Sequence, residues 1–335
     1  MTGPGAVVPS PPAWAEARPD PPLASVPAPS RAFGRVLLAM ADRIWGAPHP
    51  LAGRGLEELQ EREGRFFREC WAAYFSPSAN PRGSLALDLG CGRGAKTVEL
   101  GRMGTALVVG VDREFGMLKL ARESLERAGI RYALVQADAA HLPFREGVFG
   151  TVLCTDTVEH LHRLEEGVGE MGRVLSPRGA ACVSFAAWPS AQGAHLGNYT
   201  TLPWCHLLVP HPLLLARIRE RTSRLAACAG PDEAAALRHV GAWERHHFLH
   251  CLPRVTLARF EAACVRSGLA AVSLVRASSW WLKPLAYLPW WADRMTREQF
   301  AVLRHGGTGR PFSLRRPIAG DLRRIWRALG RRLGG

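Results

Sequence analysis

The chain has 335 residues, enough to bury a full core and carry additions, and 47% of them are hydrophobic, so it is globular overall. Its apolar stretches are short and broken by Pro, Gly or Arg, which excludes a bilayer-spanning segment. The net charge of +14 invites a nucleic-acid partner, yet Arg outnumbers Lys 40 to 3, and residues 306–335 alone hold eight Arg against one Asp.

In chain order, residues 1–30 contain nine Pro and are expected to be extended or disordered, with no charged-then-apolar leader pattern. Phe33, Val36, Leu37, Met40, Ile44 and Trp45 have the spacing of an amphipathic helix over 31–46, and a second helix is expected over 56–75. Residues 85–94, Leu-Ala-Leu-Asp-Leu-Gly-Cys-Gly-Arg-Gly, then break an apolar run into glycines. A strand that ends in such a turn and opens into a helix lets a ligand approach the backbone closely. Asp88, two residues before Gly90, adds a carboxylate that favours a cationic ligand over a pyrophosphate. A second apolar run, 105–111, ends at Asp112, 18 residues after Gly94, where a doubly wound sheet places an acid against a ribose diol. A third, 132–137, ends at Asp138. Three strands each finishing in Asp line up three carboxylates along one sheet edge, where open α/β sheets bind ligands. Further strands are expected near 150–155 and 180–185, alternating with helices, which argues for a parallel sheet covered on both faces.

The segments Asp88-Leu-Gly-Cys-Gly-Arg-Gly94, Val111-Asp112, Asp138-Ala-Ala-His-Leu-Pro-Phe144, Val158-Glu-His-Leu161 and Arg173-Val-Leu-Ser-Pro-Arg-Gly179 resemble the successive motifs of class I S-adenosyl-L-methionine (SAM) methyltransferases. The branch they resemble is typified by the ubiquinone and menaquinone biosynthesis enzymes. The resemblance is close over residues 80–190 and returns weakly at 256–268 and 299–305. Phe149-Gly150 departs from it, because the family has Phe-Asp there. The implied fold is a Rossmann-like, seven-stranded, mostly parallel sheet with helices on both faces, plus a helical and aromatic insertion after strand five. The implied organisation is a Pro-rich segment 1–30, N-terminal helices 31–80, a SAM-binding core 81–185, an insertion capping the acceptor site at 186–255, the rest of the core at 256–305, and an Arg-rich tail at 306–335 with an amphipathic helix.

By the same resemblance, Asp88, Gly90, Cys91, Gly92 and Gly94 face the methionine end of the cofactor, and Asp112 with Arg113 faces the ribose. Asp138 with Ala139 holds the adenine amino group, Met117 packs on the ring, and Cys154 and Thr155 floor the sulfonium. An oxygen or acidic-carbon acceptor needs a general base, for which His160, His195 and His206 are the candidates. Methyl transfer needs no metal, and although His246, His250 and Cys251 cluster, no carboxylate completes a ligand set there, so none is expected. Eight Cys without C-x-x-C spacing read as reduced, buried thiols in a cytoplasmic protein. In the tail, Leu322, Ile325, Trp326, Leu329 and Leu333 fall at helical spacing. That helix could dock on the fold, lie on an anionic membrane, or contact RNA. The expected function is methyl transfer to a small-molecule, glycan or lipid-like acceptor; the alternative is an RNA or protein substrate held by the tail. The end of strand four, Cys154-Thr-Asp-Thr157, lacks the Pro-Pro-Tyr type motif of amino-directed nucleic-acid methyltransferases, which favours the first reading.

Overall fold

The computed structural model describes residues 20–45, 56–197, 199–228, 231–250, 252–277 and 298–306. In chain order the elements are α1 (Ala28–Trp45), α2 (Leu56–Cys70) running into a π-helical turn (Trp71–Phe75), β1 (Leu85–Leu89), α3 (Ala95–Arg102), β2 (Leu107–Asp112) and α4 (Phe115–Ala128). They continue with β3 (Tyr132–Gln136), β4 (Phe149–Thr155), α5 (Leu164–Val174), β5 (Leu175–Phe185), α6 (Cys205–Leu208), α7 (His211–Ala227), α8 (Pro231–His250), α9 (Leu257–Arg266), β6 (Leu269–Ala277) and β7 (Glu298–His305). They form two units: Gly55–Ala187 with Arg254–Gly335, hereafter the core, and Met1–Arg54 with Trp188–Pro253, hereafter the insertion unit.

The core is the expected seven-stranded sheet, in the order β3-β2-β1-β4-β5-β7-β6, with β7 antiparallel to both its neighbours. Its strands read as continuous apolar runs because both faces are covered. On one face Leu87, Val109, Val152, Val183 and Ala301 pack under α5 and α9 with Met171, Phe260 and Ala263. On the other, Ala86, Val108, Leu153, Cys182, Phe300 and Val302 pack under α2 and α3 with Phe67, Trp71, Phe75 and Leu100. Successive strand residues alternate between these faces. Asp88, Thr155, Ser184 and Glu298 therefore fall on the α2/α3 face, all toward the edge where the parallel strands end. The departure at Gly150 has a steric cause: a Cβ there would lie 2.9 Å from Ser84 Cβ, beside an irregularity in the β4–β5 register.

Some elements differ from the sequence pattern: β5 starts at Leu175 rather than near 180, α1 starts earlier than 31, and a strand stands at 269–277 where none was expected. Helix α1 starts at Ala28, inside the Pro-rich stretch, because Pro29 stands in the first turn, where its missing N–H has no helical acceptor. Strand β6 occupies 269–277, a half-buried edge strand whose Ala and Ser residues give no clear alternation.

In the insertion unit α1, α6, α7 and α8 surround one cluster that includes Leu38, Ala41, Tyr199, Leu214, Ile218 and Phe248. The sequence pattern groups α1 with α2, whereas α1 packs here: a Cβ on Gly34 would lie 2.8 Å from Leu213 Cδ1. Asp42 of α1 pairs with Arg217 and Arg221 of α7. Trp188 is part of this core, its ring edge-on to His206 at 4.6 Å and stacked on Phe248. The residues 1–19, Cys251 and the tail 307–335 lie outside the described residues.

Candidate active site

The glycine turn after β1 is built by backbone demands. Gly90, Gly92 and Gly94 have φ of +78°, +51° and +83°, a region that costs a side-chain-bearing residue dearly. A Cβ on Gly90 would collide with the Thr157 side chain, and one on Gly94 would sit 3.0 Å from Ala121 Cα in α4. On Gly92 it would meet nothing within 4 Å among the described residues, which leave this part of the turn open on its outer side.

The turn is tied to the end of β2. The Gly90 and Cys91 amides donate to the Val111 carbonyl at 2.8 and 3.0 Å. The Gly92 amide donates to Asp112 Oδ2 and the Glu114 amide to Oδ1, both at 2.9 Å. Each carboxylate oxygen keeps a lone pair, so Asp112 is fixed in orientation and still able to accept from a vicinal diol. Asp88 is 1% exposed and accepts from Thr97 Oγ1 at 2.6 Å. Burial pushes its carboxyl up to about 6, against the Thr97 hydrogen bond and the Lys96 charge, which pull it down. A cation placed near it would be stabilised by the buried charge it restores.

Asp138 is exposed and turns the chain after β3, accepting from the Ala140 amide at 2.9 Å; Ala139 is half-buried, Met117 half-buried on α4, and Arg113 exposed. The loop that follows is clamped by α5. Arg173 donates to the Phe144 carbonyl at 2.7 Å and the Leu142 carbonyl at 3.0 Å, and forks onto Glu170 at 2.6 and 2.8 Å. Glu170 also accepts from the Leu142 amide at 2.7 Å, and its hydrogen bonds to Arg173 hold its pKa below the usual value.

Cys154 and Thr155 do not share a face. Cys154 lies in the apolar cluster under α5 and α9, where burial pushes its thiol up. Thr155 lies on the face of Asp88, and its buried Oγ1 has no hydrogen-bond partner among the described residues. Next to it is a charged group that sequence reasoning missed. Lys96 Nζ donates to the Thr155 carbonyl at 3.2 Å and pairs with Asp156, a non-glycine residue at φ +53°. Burial works against the Lys96 charge, but Asp156, Asp88 and Glu63 outweigh it and raise its pKa. Glu298, at the start of β7, is pushed up to about 7 by burial and by the Asp156 charge. Lys96 two residues after Gly94, and the acid opening an antiparallel strand beside β5, were the available signals.

His160 closes a short 3-10 turn, Val158–His160, after β4 and is half-buried in the core. His195 and His206 belong to the insertion unit. His206 is 4% exposed, with Nε2 2.6 Å from the Trp188 carbonyl. His195 has φ +55° and lines a cavity of about 240 Å³ with Gln192, Thr200, Thr201 and Cys205. Its charge partner Glu244 is pushed up to about 7 by burial, a rise that His195 opposes. The rings of His246 and His250 lie 4.9 Å apart on α8. The seven described cysteines are all free, six of them buried.

A methyltransferase domain family matches residues 87–183. The malonyl-[acyl-carrier protein] O-methyltransferase of Geobacter sulfurreducens is 42% identical over 94 residues, which cover 28% of this chain and 35% of that protein. The demethylmenaquinone methyltransferase of Thermobifida fusca is 28% identical over 173 residues, 49% of this chain and 70% of that one. The chain thus spans about a third of the first relative's length and about two thirds of the second's. Among solved structures, an S-adenosylmethionine-dependent methyltransferase from Mesorhizobium loti is similar with a TM-score of 0.45 at 19% identity, covering 70% of this chain and 97% of that one.

Proposed function

From the premise that this chain carries a class I SAM-dependent methyltransferase domain, we propose that it transfers a methyl group to a small-molecule, glycan or lipid-like acceptor. The observation that carries the reading is the Gly90–Gly94 turn, open above Gly92 and locked to an Asp112 carboxylate that retains free lone pairs. The residues present suit SAM: Asp112 keeps lone pairs that a nucleoside diol could use, and buried Asp88 offers a carboxylate to an amino-acid cation. The orphaned Thr155 hydroxyl offers a further polar contact on the same face. Relatives named for malonyl-carrier-protein and demethylmenaquinone methylation support a small or lipid-like acceptor.

In this reading Asp88 and the turn, Cys91 included, bind the methionine end. Asp112 and Arg113 bind the ribose, Asp138 and Ala139 the adenine edge, and Met117 covers the ring. When bound, SAM supplies an electrophilic methyl on a sulfonium and a neutral thioether leaving group. The protein's tasks are then alignment, exclusion of water, and acceptance of the acceptor's proton. The candidate bases are His160 in the core and His195 and His206 in the insertion unit, with His206 Nε2 2.6 Å from the Trp188 carbonyl. The half-buried Glu298 carboxyl, raised toward neutrality, is a further group suited to take that proton.

The test is incubation with methyl-labelled SAM and a cell extract, followed by partition of the label. Label in metabolite, lipid or glycan fractions, retained after deletion of residues 307–335, is expected. Label in RNA or protein, lost with the tail, would overturn the acceptor assignment.

A further inference from the structure

Helix α1 has two apolar faces, and among the described residues the fold buries one. Gly34, Leu38 and Ala41 are buried in the insertion unit. Phe33, Val36, Met40 and Ile44 are 60%, 54%, 51% and 60% exposed. At 100° per residue these four fall within an arc of roughly 80°, and they run about 16 Å along the helix. Single exposed apolar residues are ordinary on a protein surface, but a continuous stripe of large ones marks a contact.

The charges choose the partner. Arg35 and Arg43 are exposed, and Arg43 borders the stripe on the Val36 side. Asp42 is the single acid of α1 and is spent on Arg217 and Arg221. A two-fold contact between copies would lay the stripe on itself and bring the α1 arginines together, with no second acid on α1 to separate them. An anionic lipid surface satisfies both features, taking up the apolar side chains while its headgroups neutralise the arginines. We propose that the Phe33–Ile44 stripe of α1 is a membrane-docking surface, which seats this chain on anionic bilayers. The proposal stands independently of the acceptor assigned above, since it concerns only where the chain resides.

The experiment is sedimentation of the full chain with vesicles of phosphatidylcholine alone or mixed with phosphatidylglycerol. Binding to the mixed vesicles is expected, falling with salt. The triple variant Val36→Ser, Met40→Ser and Ile44→Ser should lower partitioning at least about tenfold. Its thermal midpoint and S-adenosylhomocysteine binding should not change, because these side chains touch solvent. A second readout avoids the triple variant: Met40→Cys in a Cys228→Ser background, carrying an environment-sensitive dye, should shift its emission to the blue on mixed vesicles. Wild-type partitioning by the triple variant would overturn the proposal and move the contact to the Arg-rich tail. An unshifted dye, or a dimer that the triple variant dissociates without any vesicle binding, would overturn it as well.

Discussion

Asp112 organises the turn and faces the expected ribose, so its removal has two separable effects. In Asp112→Ala the Gly92 and Glu114 amides each lose a 2.9 Å charge-assisted acceptor. Gly92 is half-buried and Glu114 exposed, so water replaces much of what is lost and the fold should weaken by only about 1 kcal/mol. Binding suffers more, because no water reproduces a carboxylate held in place for a diol. One lost charge-assisted contact predicts at least about 1.4 kcal/mol, a tenfold weaker dissociation constant for S-adenosylhomocysteine. Asp112→Asn should do almost as badly for the turn. A carboxamide has one acceptor oxygen for two amides and must turn an NH₂ group toward the other N–H. Calorimetric titration of both variants, with thermal midpoints alongside, checks this. Unchanged affinity in Asp112→Ala, with the fold intact, would refute the placement of the ribose at this residue.

Gly94→Ala should cost about 1–2 kcal/mol for the left-handed backbone alone, plus the 3.0 Å approach to Ala121 Cα, and should weaken S-adenosylhomocysteine binding. Gly116→Ala, on α4 with no described residue within 4 Å, should leave binding unchanged and stabilise the fold by up to about 1 kcal/mol when measured side by side. Arg173→Ala strips two carbonyls and Glu170 of their donor and should cost about 2–3 kcal/mol in urea unfolding; a loss below about 1 kcal/mol would mean the clamp is decorative. Glu298 has its pKa raised to about 7, so the neutral form favours the fold. That stabilisation is complete below the ordinary carboxyl value and fades as pH rises through about 7. The thermal midpoint should therefore fall less between pH 5 and 8 in Glu298→Gln than in wild type, and parallel curves would contradict it.

Much of the core was legible because its signals are local. The glycine turn needs left-handed backbone, so it is written as Gly90-Cys-Gly-Arg-Gly94, and the first three strands are written as apolar runs close to Asp88, Asp112 and Asp138, although β1 runs one residue past Asp88 and the half-buried edge strand β3 stops two residues before Asp138. What escaped depends on contacts distant in sequence. Lys96 and Asp156 meet across 60 residues, and Glu298 reaches the same edge only because β7 runs antiparallel. The amphipathic pattern over 31–46 was visible, but nothing in it distinguishes the face of Leu38 and Ala41, which packs, from that of Met40 and Ile44, which does not. Cys154 and Thr155 stand adjacent in sequence and on opposite faces of the sheet, an alternation that motif matching ignores.

The most direct measurement is a crystal structure of the chain with S-adenosylhomocysteine. The account predicts density along the Gly90–Gly94 turn, with the ribose hydroxyls within hydrogen-bonding distance of Asp112 and the amino group beside Asp88. A nucleoside bound elsewhere, or a diol turned away from Asp112, would contradict it.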